Sequence, residues 1–330
     1  MALLGRRRSA DRGDRGRTGR WGARLSRPAV DPDFGDPRLP ALRAAATSGD
    51  WPALRDGLAS VDDEDRTWLL SRLTEVPGVE VWIREAVAAE PDSALALLVA
   101  GARQVAWAWE ARTGARASQV SEDQFRVFHE RLCQAEEWLY EVAEREPGWL
   151  APWLWLQTSG RGLEIDTGAA RRRFAAAVRR GPGNLLVHQQ HLQQIAAKWG
   201  GSHEEMHAFA RRSMLAAPEG SPLGELVALG HIEEWLDRDE TANDYIRRPK
   251  VVAELHEAAR RSVLHPDFRR TREWMLPYNT FAMAFSLAGE HGAARPLFAA
   301  LDGAVTEFPW FYLADGPERA FRKHRDQALS

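Results

Sequence analysis

From Leu39 to the C-terminus, apolar residues recur every three or four positions within stretches of strong helix formers. This spacing places the apolar side chains on one face of a helix. No stretch of alternating β-branched residues persists, and no Asn-Gly or Asp-Gly pair joins two apolar runs, so strands are not predicted. The pattern predicts an all-α chain.

The first 37 residues lack this pattern. They are rich in Arg, Gly, Asp and Pro and have few large apolar side chains except Trp21, Leu25 and Phe34. Such a segment buries too little apolar surface to offset the entropy of the chain. We therefore predict a disordered Arg-rich tail over residues 1–37 and a helical domain over residues 38–330.

Prolines punctuate the helical region at recurring intervals. Each removes a backbone donor and clashes with the preceding turn, so each marks the end of a helix. The spacings between them are 56, 35, 36 and 48 residues, and two of these lie close to the tetratricopeptide unit of about 34 residues. The longer spacings predict insertions near 112–121 and 237–248. The five stops are Glu90-Pro91, Glu146-Pro147, Gly181-Pro182, Ala217-Pro218 and His265-Pro266.

The residues at 12, 8 and 5 positions before each proline test for a repeat. Before four prolines these positions hold small or mostly apolar residues on one helix face. The set before Pro266 fails, because it contains Glu254 and Arg261. The four sets are Val79, Ile83 and Ala86; Ala135, Leu139 and Val142; Ala170, Phe174 and Ala177; and Met206, Ala210 and Ser213.

These faces predict helix pairs that stack side by side. A single pair cannot keep its apolar face dry, whereas stacked neighbours can, and the result is a curved superhelix, or α-solenoid. We expect N-terminal helices over 38–115 and degenerate tetratricopeptide-like pairs with a C-terminal cap over 116–330.

Over roughly residues 90–315 the chain resembles a group of tetratricopeptide-like proteins of unknown function from actinobacteria. The resemblance implies a helical-repeat fold and an actinobacterial host, and it brings no activity with it. Three segments carry it: Ala106-Trp107-Ala108-Trp109-Glu110-Ala111-Arg112, Ala197-Lys198-Trp199-Gly200-Gly201-Ser202-His203-Glu204-Glu205-Met206, and Arg261-Ser262-Val263-Leu264-His265-Pro266.

Charge is unevenly distributed along the chain. Residues 1–27 contain nine Arg and two Asp, which leaves −10 on the rest of a chain whose net charge is −3. A body of that charge repels a nucleic-acid backbone, so only the 1–27 segment is expected to bind one, and weakly. The chain has three lysines against 41 arginines, which fits a high-GC bacterial genome.

The lone cysteine and the hydropathy pattern predict a cytoplasmic location without membrane insertion. Cys133 has no partner for an internal disulfide, which suits a reducing compartment. No apolar run reaches the roughly 20 residues that a spanning helix needs.

The sharpest catalytic pattern is an H-E-x-x-H sequence, His203-Glu204-Glu205-Met206-His207. On a helix the two histidines can bind one zinc ion while the glutamate acts as general base. However, Ser202 and Glu205 resemble a helix-capping box, and no third ligand follows at the expected spacing. Glu225 is a conceivable third ligand, but a loop separates it. We expect no metal and no cofactor.

The candidate binding surface lies on the first helices of the pairs. Gln189 and Gln193, one turn apart, are predicted to project from the concave face beside Leu154, Thr158 and Glu225. The alternative for these residues is an ordinary polar helix face. Trp149, Trp153 and Trp155 are expected mainly in the core, and Arg171–Arg173 with Arg179–Arg180 on the solvated outer face.

The sequence therefore favours a non-enzymatic scaffold that binds a protein or peptide segment on its concave face. The alternative is a zinc-dependent hydrolase acting through His203, Glu204 and His207. A third possibility is a ligand-sensing regulator, which the sequence does not separate from a scaffold.

Overall fold

The computed structural model describes residues 26–112 and 121–330 and is almost entirely helical. Its α-helices are α1 Leu39–Ser48, α2 Trp51–Ala59, α3 Asp63–Leu73, α4 Val79–Ala89, α5 Ala94–Arg112, α6 Glu122–Arg145, α7 Ala151–Gly162, α8 Thr167–Val178, α9 Leu185–Gln194, α10 His203–Ala216, α11 Glu225–Asp237, α12 Ala242–Ile246, α13 Pro249–Arg261, α14 Met275–Ala288, α15 His291–Leu301, α16 Glu307–Trp310 and α17 Pro317–Leu329. Short 3-10 helices cover Ala197–Trp199, Pro222–Gly224 and Asp239–Thr241. The all-α prediction is confirmed.

The predicted helix ends agree with the structure. Helices α4, α6, α8, α10 and α13 each end two to five residues before one of the five prolines. The predicted insertion near 237–248 contains α12 and one of the 3-10 helices. Of the other predicted insertion, residues 113–120 lie outside the described part of the chain.

The faces predicted from the proline offsets are mostly buried. In α4, Ile83 is 1% exposed, and in α6 Ala135, Leu139 and Val142 are fully buried. In α8, Ala177 is fully buried, whereas Phe174 is partly exposed. The same face of α10 buries Met206 and Ala210 but leaves Ser213 partly exposed.

Alternate helices form a continuous series of contacts. Helix α5 contacts α3 and α7, α7 contacts α9, α9 contacts α11, and α11 contacts α14. Helices α6, α8, α10, α13 and α15 pack against members of this series. Every residue of α14 is buried, as expected for a helix enclosed by neighbours on all sides.

The two ends of the described chain meet, and this contact corrects two predictions. Strand β1, Ala29–Val30, pairs in parallel with β2, Ala304–Val305, although no strand was predicted. Phe34 is only 7% exposed and packs edge-on against Trp68 at 5.3 Å between ring centroids. The predicted disordered tail of 1–37 is therefore wrong for residues 26–37. Residues 1–25 lie outside the described part of the chain.

A second contact joins distant parts of the chain. A run of acidic residues, 62–65, lies at the start of α3, and the Asp62 side chain accepts from Asp65 N at 2.8 Å. Negative charge is favoured at such a helix start. Arg272, just before α14, forms ion pairs with Glu64 and, at 2.7 Å, with Asp65. These contacts bring α3 beside the start of α14.

No helix among the described residues is both long enough and apolar enough to cross a bilayer. Cys133 is exposed on α6.

Candidate functional site

Glu225 forms a buried carboxyl site where α9, α11 and α14 meet. It is the first residue of α11 and is fully buried. Its carboxylate accepts hydrogen bonds from Gln189 Nε2 at 3.1 Å and from Thr280 Oγ1 at 2.8 Å. Burial raises the pKa of Glu225 to about 7, although both hydrogen bonds oppose this. The sequence-predicted residues Gln189 and Glu225 are thus in direct contact.

Glu233 forms a second buried carboxyl site two turns further along α11. It accepts from Gln193 Nε2 at 2.7 Å, from the Tyr312 hydroxyl at 2.8 Å and from Lys198 Nζ at 2.6 Å. Burial and the adjacent Glu233 carboxylate both raise the pKa of Tyr312 well above its ordinary value. Tyr312 therefore remains a protonated donor at neutral pH. The predicted residue Gln193 belongs to this site.

A cavity of about 240 Å³ opens beside Glu233, and we call it the Tyr312 cavity. His203 and Asp237 lie on its wall, with 2.9 Å between His203 Nε2 and Asp237 Oδ2. The His203 side chain is 29% exposed. Its lining residues are Ala196, Ala197, Lys198, His203, Met206, Glu233, Leu236, Asp237 and Tyr312.

A second cavity of about 190 Å³, the Trp155 cavity, lies among α3, α5, α7 and α9. The predicted residues Leu154 and Thr158 line it, one turn apart on α7. They do not share a cavity with Gln193, so the structure divides the predicted surface between two places. Its lining residues are Ser71, Arg72, Thr74, Glu75, Val105, Ala106, Trp109, Leu154, Trp155, Thr158, Leu186 and Gln190.

Two tryptophans and two arginines lie between these cavities, and we call them the arginine–tryptophan cluster: Trp109, Arg112, Arg161 and Trp199. The two indole rings meet edge-on at 5.6 Å between centroids. The Arg161 guanidinium carbon is 5.1 Å from the Trp109 centroid and 5.6 Å from that of Trp199. Arg112 lies 5.5 and 5.2 Å from the same two centroids. Both cations therefore share one pair of rings.

Arg161 is the least compensated charge of this cluster. Its Nη1 donates to Gln190 Oε1 at 2.8 Å, and Gln190 also lines the Trp155 cavity. Its Nε–H is buried and has no acceptor among the described residues, and the same holds for the Nε1–H of Trp109. Burial lowers the pKa of Arg161 to about 10. Glu233 and Tyr312, which line the Tyr312 cavity, favour the charged form of Arg161 electrostatically.

The two histidines of the H-E-x-x-H sequence bind separate carboxylates. His207 Nε2 lies 2.6 Å from Glu234 Oε2, whereas His203 contacts Asp237. Ser202 caps the helix as predicted, accepting from Glu205 N at 3.1 Å, but the Glu205 side chain binds Arg171 instead of completing a capping box. Among the described residues, no group of three or more His, Cys, Asp or Glu side chains is placed to hold a metal ion.

His207 instead belongs to a buried polar network with His231, Glu234 and Tyr245. The two imidazole rings lie 4.6 Å apart, and His231 Nδ1 hydrogen-bonds with the Tyr245 hydroxyl at 2.7 Å. Tyr245 donates to Glu234 Oε2 at 2.7 Å. Burial alone would raise the pKa of Glu234, but hydrogen bonds from Tyr245, Arg238 and His207 lower it to about 2. The ionised carboxylate therefore organises this network.

One predicted outer-face arginine is buried. Arg173 is 7% exposed and forms a bidentate pair with Glu136 at 2.6 and 2.9 Å. The outer-face prediction is therefore wrong for Arg173, because α6 supplies a carboxylate that compensates its charge in the interior. Arg171, Arg172 and Arg179 are exposed as predicted.

Three important residues of the site were missed from the sequence: Arg161, Trp199 and Tyr312. Arg161 follows no charge pattern, and Tyr312 lies in the C-terminal region, far along the chain from α9. The abundance of tryptophan, 14 residues, was the available signal, but it does not distinguish core rings from those beside a cavity. A scan against protein-family models and a search of curated proteins found no match to this chain.

Proposed function

We propose that this chain is a non-enzymatic binding protein that holds a protein or peptide segment against the inner helices of a tetratricopeptide-like array. In this proposal α3, α5, α7, α9, α11 and α14 are the inner helices. Their serial contacts support the assignment, since each of them touches the next. The contact between the two ends of the described part of the chain supports an array that is closed rather than open.

The observation that carries the proposal is a pair of small cavities joined by polar and aromatic groups. The cavities measure about 240 and 190 Å³. Pockets for drug-sized ligands and cofactors usually enclose about 300–1,000 Å³. Cavities below that range suit single side chains of a longer segment. Donors and acceptors beside them, such as Gln190 and Lys198, are of the kind that fixes a bound backbone or side chain.

The zinc hydrolase remains the alternative from the sequence, and the geometry favours it less. A zinc site needs both histidines directed at one point and a third ligand. His203 and His207 are each engaged by a different carboxylate, and Glu225 is enclosed by Gln189 and Thr280. Stoichiometric zinc that is lost in His207→Ala, with hydrolysis lost in Glu204→Gln, would establish the alternative.

Filling the Trp155 cavity tests the proposal. Thr158 lines this cavity, and its Oγ1 donates to Leu154 O at 3.2 Å. Selection of displayed random peptides against the wild-type protein should yield binders. Their affinity should fall about tenfold or more in Thr158→Trp, because the indole occupies the space that a ligand side chain needs.

Thr47→Trp is the matched control. Thr47 is exposed on α1, and its hydroxyl makes the same type of bond, to Arg43 O at 2.8 Å. The control should leave peptide affinity unchanged. If selection yields no peptide, or if the two variants weaken binding equally, the proposal is wrong.

A further inference from the structure

Buried arginines in this protein are usually matched by carboxylates. Arg103 is 1% exposed and contacts both Glu80 and Glu110, at 2.7 and 2.6 Å. Arg173 is paired with Glu136. A charge removed from water costs free energy unless an opposite charge or hydrogen bonds replace its hydration. An ion pair with a carboxylate is therefore the usual way to compensate a buried arginine.

Arg161, which is half-buried, departs from this arrangement. Among the described residues it has no carboxylate within ion-pair distance, and its Nη1 donates to the neutral amide oxygen of Gln190. Glu233, whose charge favours the protonated form of Arg161, already binds Gln193, Tyr312 and Lys198. The undescribed segment 113–120, which follows Arg112, contains no Asp or Glu in its sequence. No residue of that segment can therefore supply the missing charge.

The unmet groups around Arg161 are all donors. Its own Nε–H and the Nε1–H of Trp109 are buried without acceptors among the described residues. Buried donors are normally satisfied, and each unpaired one costs about 1–3 kcal/mol. The unmet groups are therefore a guanidinium N–H of Arg161 and the indole N–H of Trp109, and an oxyanion would satisfy both.

We propose that the arginine–tryptophan cluster is an oxyanion subsite, in which Arg161 and the Trp109 N–H bind a carboxylate or phosphate group of the ligand. This inference deepens the proposed function and rests on it for the identity of the ligand as an acidic segment. The subsite lies between the two cavities, since Gln190 and Trp109 line one and Glu233 and Tyr312 line the other. An acidic group bound here would place its neighbouring side chains at the two cavities.

The first experiment measures binding of free anions to the full chain. Calorimetric titrations with inorganic phosphate and with succinate, at matched ionic strength in chloride, should show binding at one site. Arg161→Gln should weaken this binding about tenfold or more, because the charge and the guanidinium fork are both lost. Arg161→Lys keeps the charge but loses the guanidinium fork, so its anion affinity should lie between those of the wild-type protein and Arg161→Gln.

Two further variants separate the cluster from the outer surface. Trp109→Phe keeps an aromatic ring but removes the unpaired N–H, and should weaken anion binding several-fold. Arg179→Gln removes an exposed arginine on α8 and should change nothing. Equal losses in Arg161→Gln and Arg179→Gln would indicate general charge attraction and would overturn the inference, as would anion binding that Arg161→Gln leaves intact.

The second experiment uses selected peptides and distinguishes the source of the anion. If acidic peptides bind through Arg161 whereas phosphate and succinate do not, the anion is a side chain or terminus of a peptide. If free anions bind through Arg161 but no peptide binds, the subsite stands and the proposed function fails. If neither anions nor acidic peptides bind the wild-type protein, the subsite is wrong.

Discussion

Arg173 and Arg161 lie 12 positions apart in the sequence, yet the protein treats their charges in opposite ways. Arg173 points from α8 to Glu136 on α6, which makes a bidentate pair with it. Burial alone would lower the pKa of Arg173, but Glu136 raises it above the ordinary value. Arg161, at the end of α7, has an amide and two indole rings instead, and burial lowers its pKa.

The difference separates a structural charge from a charge that is available to a ligand. A buried pair with complete hydrogen bonds fixes how two helices pack, and breaking it is costly. A half-buried cation that lies among unpaired donors contributes little to folding. The free energy lost by leaving these donors unpaired is regained only when a ligand binds to them.

The largest expected effect is the loss of stability when the N-terminal segment 26–37 is removed. Phe34 lies against Trp68, and its ring is 5.0 Å from the guanidinium of Arg72, which lines the Trp155 cavity. A chain that begins at Arg38 loses this buried ring and the β1–β2 pairing. Compared with a chain that begins at Ser26, it should lose roughly 5 kcal/mol of unfolding free energy in urea. Equal stability of the two chains would restore the predicted tail boundary at residue 37.

The next largest effect is expected when the ion pair between Arg173 and Glu136 is broken. Arg173→Met leaves Glu136 without its partner and should lower the unfolding free energy by roughly 3–5 kcal/mol. Arg126 provides the contrast, because its pair with Glu130 is 59% and 62% exposed at the two side chains. Arg126→Met should cost less than about 1 kcal/mol. Similar losses in the two variants would show that burial does not distinguish these pairs.

A pH experiment tests the buried carboxyl at the start of α11. Glu225 has a pKa of about 7 in the folded protein, above the ordinary 4.5, so the folded state binds its proton more tightly than the unfolded state does. The contribution of Glu225 to stability should therefore be greatest at acidic pH and fall as the pH rises from about 4.5 through 7. At about 1.4 kcal/mol per pH unit the loss approaches roughly 3 kcal/mol.

Glu225→Gln should remove that part of the pH dependence while keeping a bond to Thr280. Glu204→Gln, at an exposed position of α10, is the control and should retain the wild-type profile. Denaturant midpoints measured at half-unit intervals between pH 4 and 8 give the comparison. A wild-type curve parallel to that of Glu225→Gln would contradict the assignment.

The fold was predictable because its signals are local. Proline at 91, 147, 182, 218 and 266 stops a helix whatever the tertiary context, and apolar spacing decides which face is buried. The pairing of Gln189 with Glu225 was also reachable, because both are fixed to their helix faces. The segment 26–37 was missed because its order depends on Phe34 packing against Trp68 and Arg72, which no local pattern describes.

The partners of the charged residues were less predictable than the helices. Arg161 stands among small residues and Arg173 ends a run of three arginines, and neither setting shows whether another helix supplies a partner. Glu136, 37 residues before Arg173, gives no sign in the sequence that it faces inward. Tyr312 reaches Glu233 across 79 positions. Long-range contacts of this kind decide whether a polar residue is structural or available to a ligand.

The smallest expected effect is the most informative for the comparison. Arg161→Met replaces a half-buried, uncompensated cation with an apolar chain of similar length, and no carboxylate is left unpaired by the change. The unfolding free energy should stay the same or rise by up to about 1 kcal/mol, opposite in sign to Arg173→Met. Urea unfolding of both variants, in the absence of phosphate and carboxylate buffers, measures the contrast. A loss above about 2 kcal/mol in Arg161→Met would mean that its cation–π and Gln190 contacts already compensate the charge, and the case for an anionic ligand would lose its physical basis.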